Sequence, residues 1–103
     1  MIDQATERPA HLTTPSRLVA ETRAEFRAFA LDQLERASRL GARTLVIELG
    51  ATTEIDASGL GILVLLQKRA RERGMATFLD HPSEELRRML AVTRLDYLFG
   101  IAE

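Results

Sequence analysis

A single α/β domain with a small, partly parallel sheet and right-handed crossovers is what this chain predicts, on three observations. First, short apolar runs alternate with longer helical patterns along most of its 103 residues. Second, the run Leu45-Val46-Ile47-Glu48-Leu49, stopped by Gly50, has the length and composition of a parallel strand covered on both faces. Third, the apolar run over residues 60–66 continues into Gln67-Lys68-Arg69-Ala70-Arg71, too long for one strand in so small a domain. A strand, a polar turn and an almost wholly apolar helix therefore follow one another at the centre of the chain. No repeat, linker or low-complexity stretch interrupts it. Residues 10–103 read as one domain behind a flexible polar arm, residues 1–9.

Taken in order, Ala10-His11-Leu12-Thr13-Thr14 alternates weakly and is closed by Pro15, which suits a first strand. Thr22-Arg23-Ala24-Glu25 fits a capping box, in which hydroxyl and carboxylate satisfy the helix-start donors reciprocally. Behind it Phe26, Phe29, Ala30, Leu34, Ala37 and Leu40 recur at helical spacing as far as Gly41, so an amphipathic helix packs on one face of the sheet. The central strand covers residues 44–49, and the next helix starts near Ser58 and stops at Arg73-Gly74. Residues 75–79 form another strand, closed by Asp80-His81-Pro82. Ser83 then starts a third helix with Leu86, Met89, Leu90 and Thr93 on one face. The tail, residues 95–101, is apolar enough to dock as a half-turn and a short final strand, with Tyr97, Leu98 and Phe99 in the core.

Bulk properties remove several functions. Lysine and arginine number 14 against 15 acidic residues, so no global field draws nucleic acid or an anionic membrane. No basic stripe with interleaved aromatics compensates. Without cysteine there is neither a disulfide nor a thiolate metal site. The longest apolar run is far short of the roughly 20 residues that span a bilayer. The first residues, Met1-Ile2-Asp3-Gln4, lack the basic and apolar regions of a signal peptide, so the expected location is cytoplasmic.

The chemistry concentrates in Ile55-Asp56-Ala57-Ser58-Gly59, where a helix begins and backbone N–H groups lack intrahelical partners. Ser58 is not a nucleophile elbow, because Asp56 stands where that motif needs glycine. A hydrolase would also need His11 or His81 brought to the serine and oriented by a carboxylate, and nothing in the spacing argues for that. Glu48, Glu54 and Asp56 are acidic, yet an acidic loop is more often simply solvated, and no phosphate-binding glycine loop accompanies it. An enzyme is not expected, nor a metal site. Either Asp56 or Ser58 serves as the helix cap. Small neighbours (Ala57, Gly59, Gly61) leave the hydroxyl open to a partner. A phosphate there would add about −1.5 to −2 charges beside Asp56 and Glu54. Its effect should fall on a docked partner rather than on the fold.

These residues resemble a known signature. Leu45-Val46-Ile47-Glu48-Leu49, followed by Ile55-Asp56-Ala57-Ser58-Gly59-Leu60-Gly61-Ile62-Leu63, is similar to the motif of STAS domains, the anti-sigma factor antagonist family. Leu90-Ala91-Val92-Thr93-Arg94-Leu95-Asp96-Tyr97-Leu98-Phe99 resembles the closing helix and apolar ending of the same family. The resemblance covers roughly residues 10–101 and implies a mixed, partly parallel sheet of about four strands with helices mainly on one face. It further implies a partner-switching role. Unphosphorylated, such a protein binds an anti-sigma factor that is also a serine kinase, and so frees a sigma factor; phosphorylation of the serine before the glycine, here Ser58, ends that binding. The kinase brings ATP and Mg²⁺, a serine phosphatase would reset the switch, and the chain needs no cofactor of its own. Asp56, Ala57, Ser58, Gly59 and Leu60 would meet the partner, with Asp56 positioning the loop and Gly59 allowing close backbone approach.

The pattern departs from the family's in three places. Ala57 stands where a second hydroxyl is frequent, Glu48 replaces a frequent aspartate, and the N-terminal part is too short and polar for a full opening hairpin. Thr52 and Thr53 are secondary candidates for modification. An alternative use of the same face is a phosphorylation-independent scaffold, a subunit of a lipid-transport or stress-sensing complex. A small nucleotide-binding or hydrolytic domain is the third reading.

Overall fold

Why the helices crowd one side of the sheet follows from strand order alone. In the computed structural model, which describes residues 8–102, the chain runs β1 (Ala10–Thr13), β2 (Arg17–Leu18), α1 (Arg23–Arg39), β3 (Thr44–Glu48), β4 (Glu54–Ile55), α2 (Ala57–Glu72), β5 (Ala76–Asp80), α3 (Glu84–Thr93), a 3₁₀ turn (Asp96–Leu98) and β6 (Gly100–Ala102). The main sheet has the order β1-β3-β5-β6, and each of its pairings is parallel. Every strand is added on the same side of its predecessor. Right-handed crossovers in one constant direction lay α1, α2 and α3 on one face.

The burial pattern agrees. Leu12, Leu45, Ile47 and Leu79 point toward the helices and are buried, whereas His11, Val46 and Phe78 share the opposite face, exposed or half-buried. Two expectations change here. The central strand is covered on one face among the described residues, not on both. The sheet is parallel throughout rather than mixed, because each described link between its neighbours carries a helix and none is a hairpin. On the open face Gly100 lies under the ring of Phe78: a Cβ on this glycine would stand 2.3 Å from the ring. The aromatic thus covers a strand position that has no side chain of its own.

In α1 the seam is Phe26, Ala30 and Leu34, one turn apart and buried. Phe29 and Leu40 lie off this line and are 52% and 84% exposed, so the buried stripe is narrower than the spacing predicts. The capping box does not form either. The Thr22 hydroxyl donates to the Arg17 carbonyl at 2.7 Å and accepts from the Val19 N–H at 3.1 Å, closing the turn before the helix instead of capping it. Gly41 and Gly74 follow α1 and α2 with φ of 88° and 77°, the left-handed backbone that glycine adopts without steric cost. Glu35 on α1 accepts from Arg73 Nε and Nη2 at 3.0 and 2.9 Å, which fastens the end of α2 to α1.

Ser83 caps α3 as expected, its hydroxyl accepting from the Leu86 N–H at 3.1 Å. Leu86 and Leu90 enter the core, but Thr93 is exposed and donates to the Met89 carbonyl at 2.7 Å. The tail makes its half-turn and final strand. Phe99 is buried there, while Tyr97 is 78% exposed and outside the core. The predicted N-terminal arm lies outside the described residues except for Arg8 and Pro9, which are exposed and carry no regular structure.

Candidate functional site

The site is built where the chain crosses above the sheet. Strands β2 and β4 pair in parallel over only Arg17–Leu18 and Glu54–Ile55, a ribbon too short to show in any sequence pattern. Its inward residues, Leu18 and Ile55, are buried. Its outward pair, Arg17 and Glu54, is joined by a hydrogen-bonded ion pair at 2.9 Å. This ribbon delivers the chain to Asp56 at the start of α2.

Asp56 is the cap of α2. Its backbone is extended, with φ −127°, while one carboxylate oxygen accepts from the Gly59 N–H and the other from the Ala20 N–H, both at 3.1 Å. The helix start is thereby tied to the segment that leads into α1. The Gly59 N–H holds the carboxyl below its usual range against the opposing effect of desolvation, and the Ala20 and Ser58 N–H groups add to it. With Asp56 as the cap, the Ser58 hydroxyl is left without a hydrogen bond among the described residues and is half-buried at the surface.

Gly59 does allow a close backbone approach, and within the described residues it is to the chain itself. It is buried, and a Cβ built on it would lie 2.1 Å from the Leu18 carbonyl oxygen and 2.9 Å from Ile55 Cγ1. The close approach is to the chain's own β2–β4 ribbon. Leu60 is likewise buried, at 7% exposure. The five expected contact residues therefore divide. Ala57 and Ser58 face outward and Asp56 is half-buried beside them, whereas Gly59 and Leu60 support the loop from below.

Next to Ser58 an open groove of about 400 Å³ runs between α1 and α2. Ser58, Gly61 and Leu65 line it from α2, Arg23 and Arg27 from α1. Among the described residues nothing lies within 4 Å of a Cβ placed on Gly61, so this glycine leaves the groove wide at its middle. Sequence reasoning did not single out the two arginines. Their spacing of four was visible in the chain, but only the packing of α1 on α2 brings them to the serine.

The other polar candidates are engaged elsewhere. His11 contacts Glu48, His81 contacts Asp80 at 2.9 Å, and neither histidine lines the groove. Glu48, Glu54 and Asp56 each have a separate partner and do not converge. Among the described residues no group of three or more such side chains is placed to hold a metal. Thr52 donates to the Pro15 carbonyl at 2.6 Å and Thr53 to the Ser16 carbonyl at 3.4 Å, so both hydroxyls help close the loop. No described helix is long and apolar enough to cross a membrane.

A one-sided parallel sheet, with a half-buried and unpartnered serine at the start of the Asp56-capped α2, accords with the class of protein that the chain matches, the STAS domains. The family model described as "Mlab, STAS domain" matches residues 2–100, and the chain belongs to that family. A STAS-domain containing protein of Pseudomonas aeruginosa (strain UCBPP-PA14) is 34% identical over 71 residues, 69% of this chain and 69% of that protein. Among solved structures, a Thermotoga maritima protein described as a candidate anti-sigma factor antagonist superposes with a TM-score of 0.76 at 24% identity, over 90% of this chain and 79% of that one. The Bacillus cell fate determinant SpoIIAA, solved in its phosphorylated form, gives a TM-score of 0.63 at 17% identity, over 90% and 79% of the two chains. At these identities the two structures show a shared fold.

Proposed function

We propose that this chain is an anti-sigma factor antagonist, switched off by phosphorylation of Ser58. The observation that carries the reading is the serine itself, its hydroxyl unpartnered at the surface of a helix start fixed by Asp56. The partner is an anti-sigma factor that is also a serine kinase. It docks over Asp56, Ala57 and Ser58, which Gly59 and Leu60 hold in place. In the modifying step the Ser58 oxygen attacks the γ-phosphorus of ATP, the bond to the bridging oxygen breaks, ADP leaves and the hydroxyl proton passes to a base on the kinase. The chain is a substrate in this reaction and not its catalyst, and a serine phosphatase restores it.

The physical basis of the switch is charge at a docked surface. The loop is already tied down by Asp56, so the added dianion has little to rearrange. It must instead be desolvated against the partner, and a loss of about 1.4 kcal/mol already weakens binding tenfold. A protein of the same fold, the Bacillus cell fate determinant SpoIIAA, has been solved in a phosphorylated form, which is compatible with this reading. The test is to incubate the protein with a serine-kinase anti-sigma factor, ATP and Mg²⁺ and map the product by mass spectrometry. One phosphate on Ser58 is expected; modification confined to Thr52 or Thr53 contradicts the proposal.

A second reading is a phosphorylation-independent scaffold subunit using the same face. Its support is that the matched family model is described as Mlab, STAS domain. Binding by Ser58→Asp that equals wild type would favour it.

A further inference from the structure

The groove beside Ser58 contains more positive charge than its own surroundings neutralise. Arg23 and Arg27 stand one turn apart on α1 and face Ser58 across it. Other arginines of this surface have partners: Arg17 holds Glu54, while Arg69 and Arg73 share Glu35. The guanidinium groups of Arg23 and Arg27 make no ion pair or hydrogen bond among the described residues. No acidic residue lies in the first turn of α2 or among the residues that line the groove, and the carboxylates of Asp56 and Glu54 are occupied by backbone N–H groups and by Arg17. Packed helices have axes about 8–10 Å apart, a gap that an arginine side chain crosses.

We propose that Arg23 and Arg27 form an intramolecular seat for the phosphoryl group of Ser58, holding it across the α1–α2 groove. The inference rests on the reading of Ser58 as the modified residue and adds what becomes of the phosphate. A guanidinium meets phosphate oxygens through two parallel N–H donors, and two such groups supply the charge that a dianion needs. Ala24 and Gly61, the small residues of the groove, leave room for it. Phosphorylation then does two things at once: it places a bulky anion in the groove, and it occupies the cations that an acidic segment of the partner would otherwise meet.

The test does not need the kinase. Phosphoserine is installed at position 58 during translation, and its second ionisation is followed by ³¹P NMR titration in wild type and in Arg23→Gln/Arg27→Gln. An unpaired phosphoserine titrates near pH 6. The seat predicts a midpoint lowered by about half a unit or more in wild type and returned to the ordinary value in the double variant. Equal midpoints in the two proteins overturn it. Both arginines are exposed, so their replacement should leave the fold intact. Should the variant not fold, the arginine Nε–H resonances of wild type decide: shifts of Arg23 and Arg27 on phosphorylation support the seat, and unchanged signals overturn it. A lowered midpoint together with undiminished binding to the anti-sigma factor would keep the seat and refute the switch. Equal midpoints with lost binding would do the reverse.

Discussion

Gly59 lies against Leu18 so closely that a β-carbon on the glycine would stand 2.1 Å from the leucine carbonyl oxygen. A helix interior normally gains from replacing glycine with alanine, by roughly 0.5–1 kcal/mol. At this position the sign reverses, because the obstacle is backbone of the β2–β4 ribbon and cannot swing away. Gly59→Ala should cost about 1–3 kcal/mol, an overpacking penalty that appears as a melting temperature lower by roughly 10 °C. Gly61, two residues on in the same helix, has nothing within 4 Å of its would-be Cβ among the described residues. Gly61→Ala should therefore raise the melting temperature by a few degrees. Thermal unfolding of the two variants side by side checks the pair, and destabilisation by both would contradict the assigned geometry.

Asp56 makes the site sensitive to acid. Its carboxyl titrates below its ordinary value because the folded chain presents N–H donors to the charged form, that of Gly59 foremost. A depressed folded value means that its stabilisation is present above the unfolded value, near 3.9, and disappears as pH falls through the folded one. Asp56→Asn keeps one oxygen for Gly59 but turns an amide nitrogen toward the Ala20 N–H, which it cannot serve as acceptor. The variant should melt a few degrees below wild type at neutral pH, and the gap should narrow as acid takes the solution below the unfolded value and through the lower folded one. A gap that persists unchanged in acid would show that the carboxylate charge is not what holds the loop.

Thr77 points into the core from β5 with a buried hydroxyl that has no hydrogen-bond partner among the described residues. An unmet polar group of this kind costs about 1–3 kcal/mol, and valine keeps the β-branched shape that a strand favours. Thr77→Val should stabilise the domain by around 1 kcal/mol in chemical denaturation, with an unchanged dependence on denaturant. A loss of stability would mean that the hydroxyl does useful bonding there.

How much of this was legible in the chain differs by element. The Leu45–Leu49 run, the apolar stretch after Ser58 and the Ser83 cap announced β3, α2 and α3 to within a residue or two, because each has a local signal. Thr22 misled. Its spacing to Glu25 fits a capping box, yet the hydroxyl bonds backward to Arg17 and Val19 once β2 exists. That two-residue strand is defined only by pairing with Glu54 and Ile55, 37 residues further on, so no periodicity could reveal it. The same holds for the site. Asp56 and Ser58 stood out locally, whereas the Ala20 N–H and the two groove arginines joined them only through the packing of α1 on α2.

In the proposed switch, one phosphate on Ser58 changes what the surface binds without changing the fold beneath it. Calorimetric titration of a serine-kinase anti-sigma factor with unmodified and Ser58-phosphorylated protein tests it most directly, with amide NMR spectra recorded on both forms. The expected result is a dissociation constant raised tenfold or more, about 1.4 kcal/mol or beyond, with spectral changes confined to the Ser58 loop and the facing turn of α1. Equal dissociation constants for the two forms would contradict it.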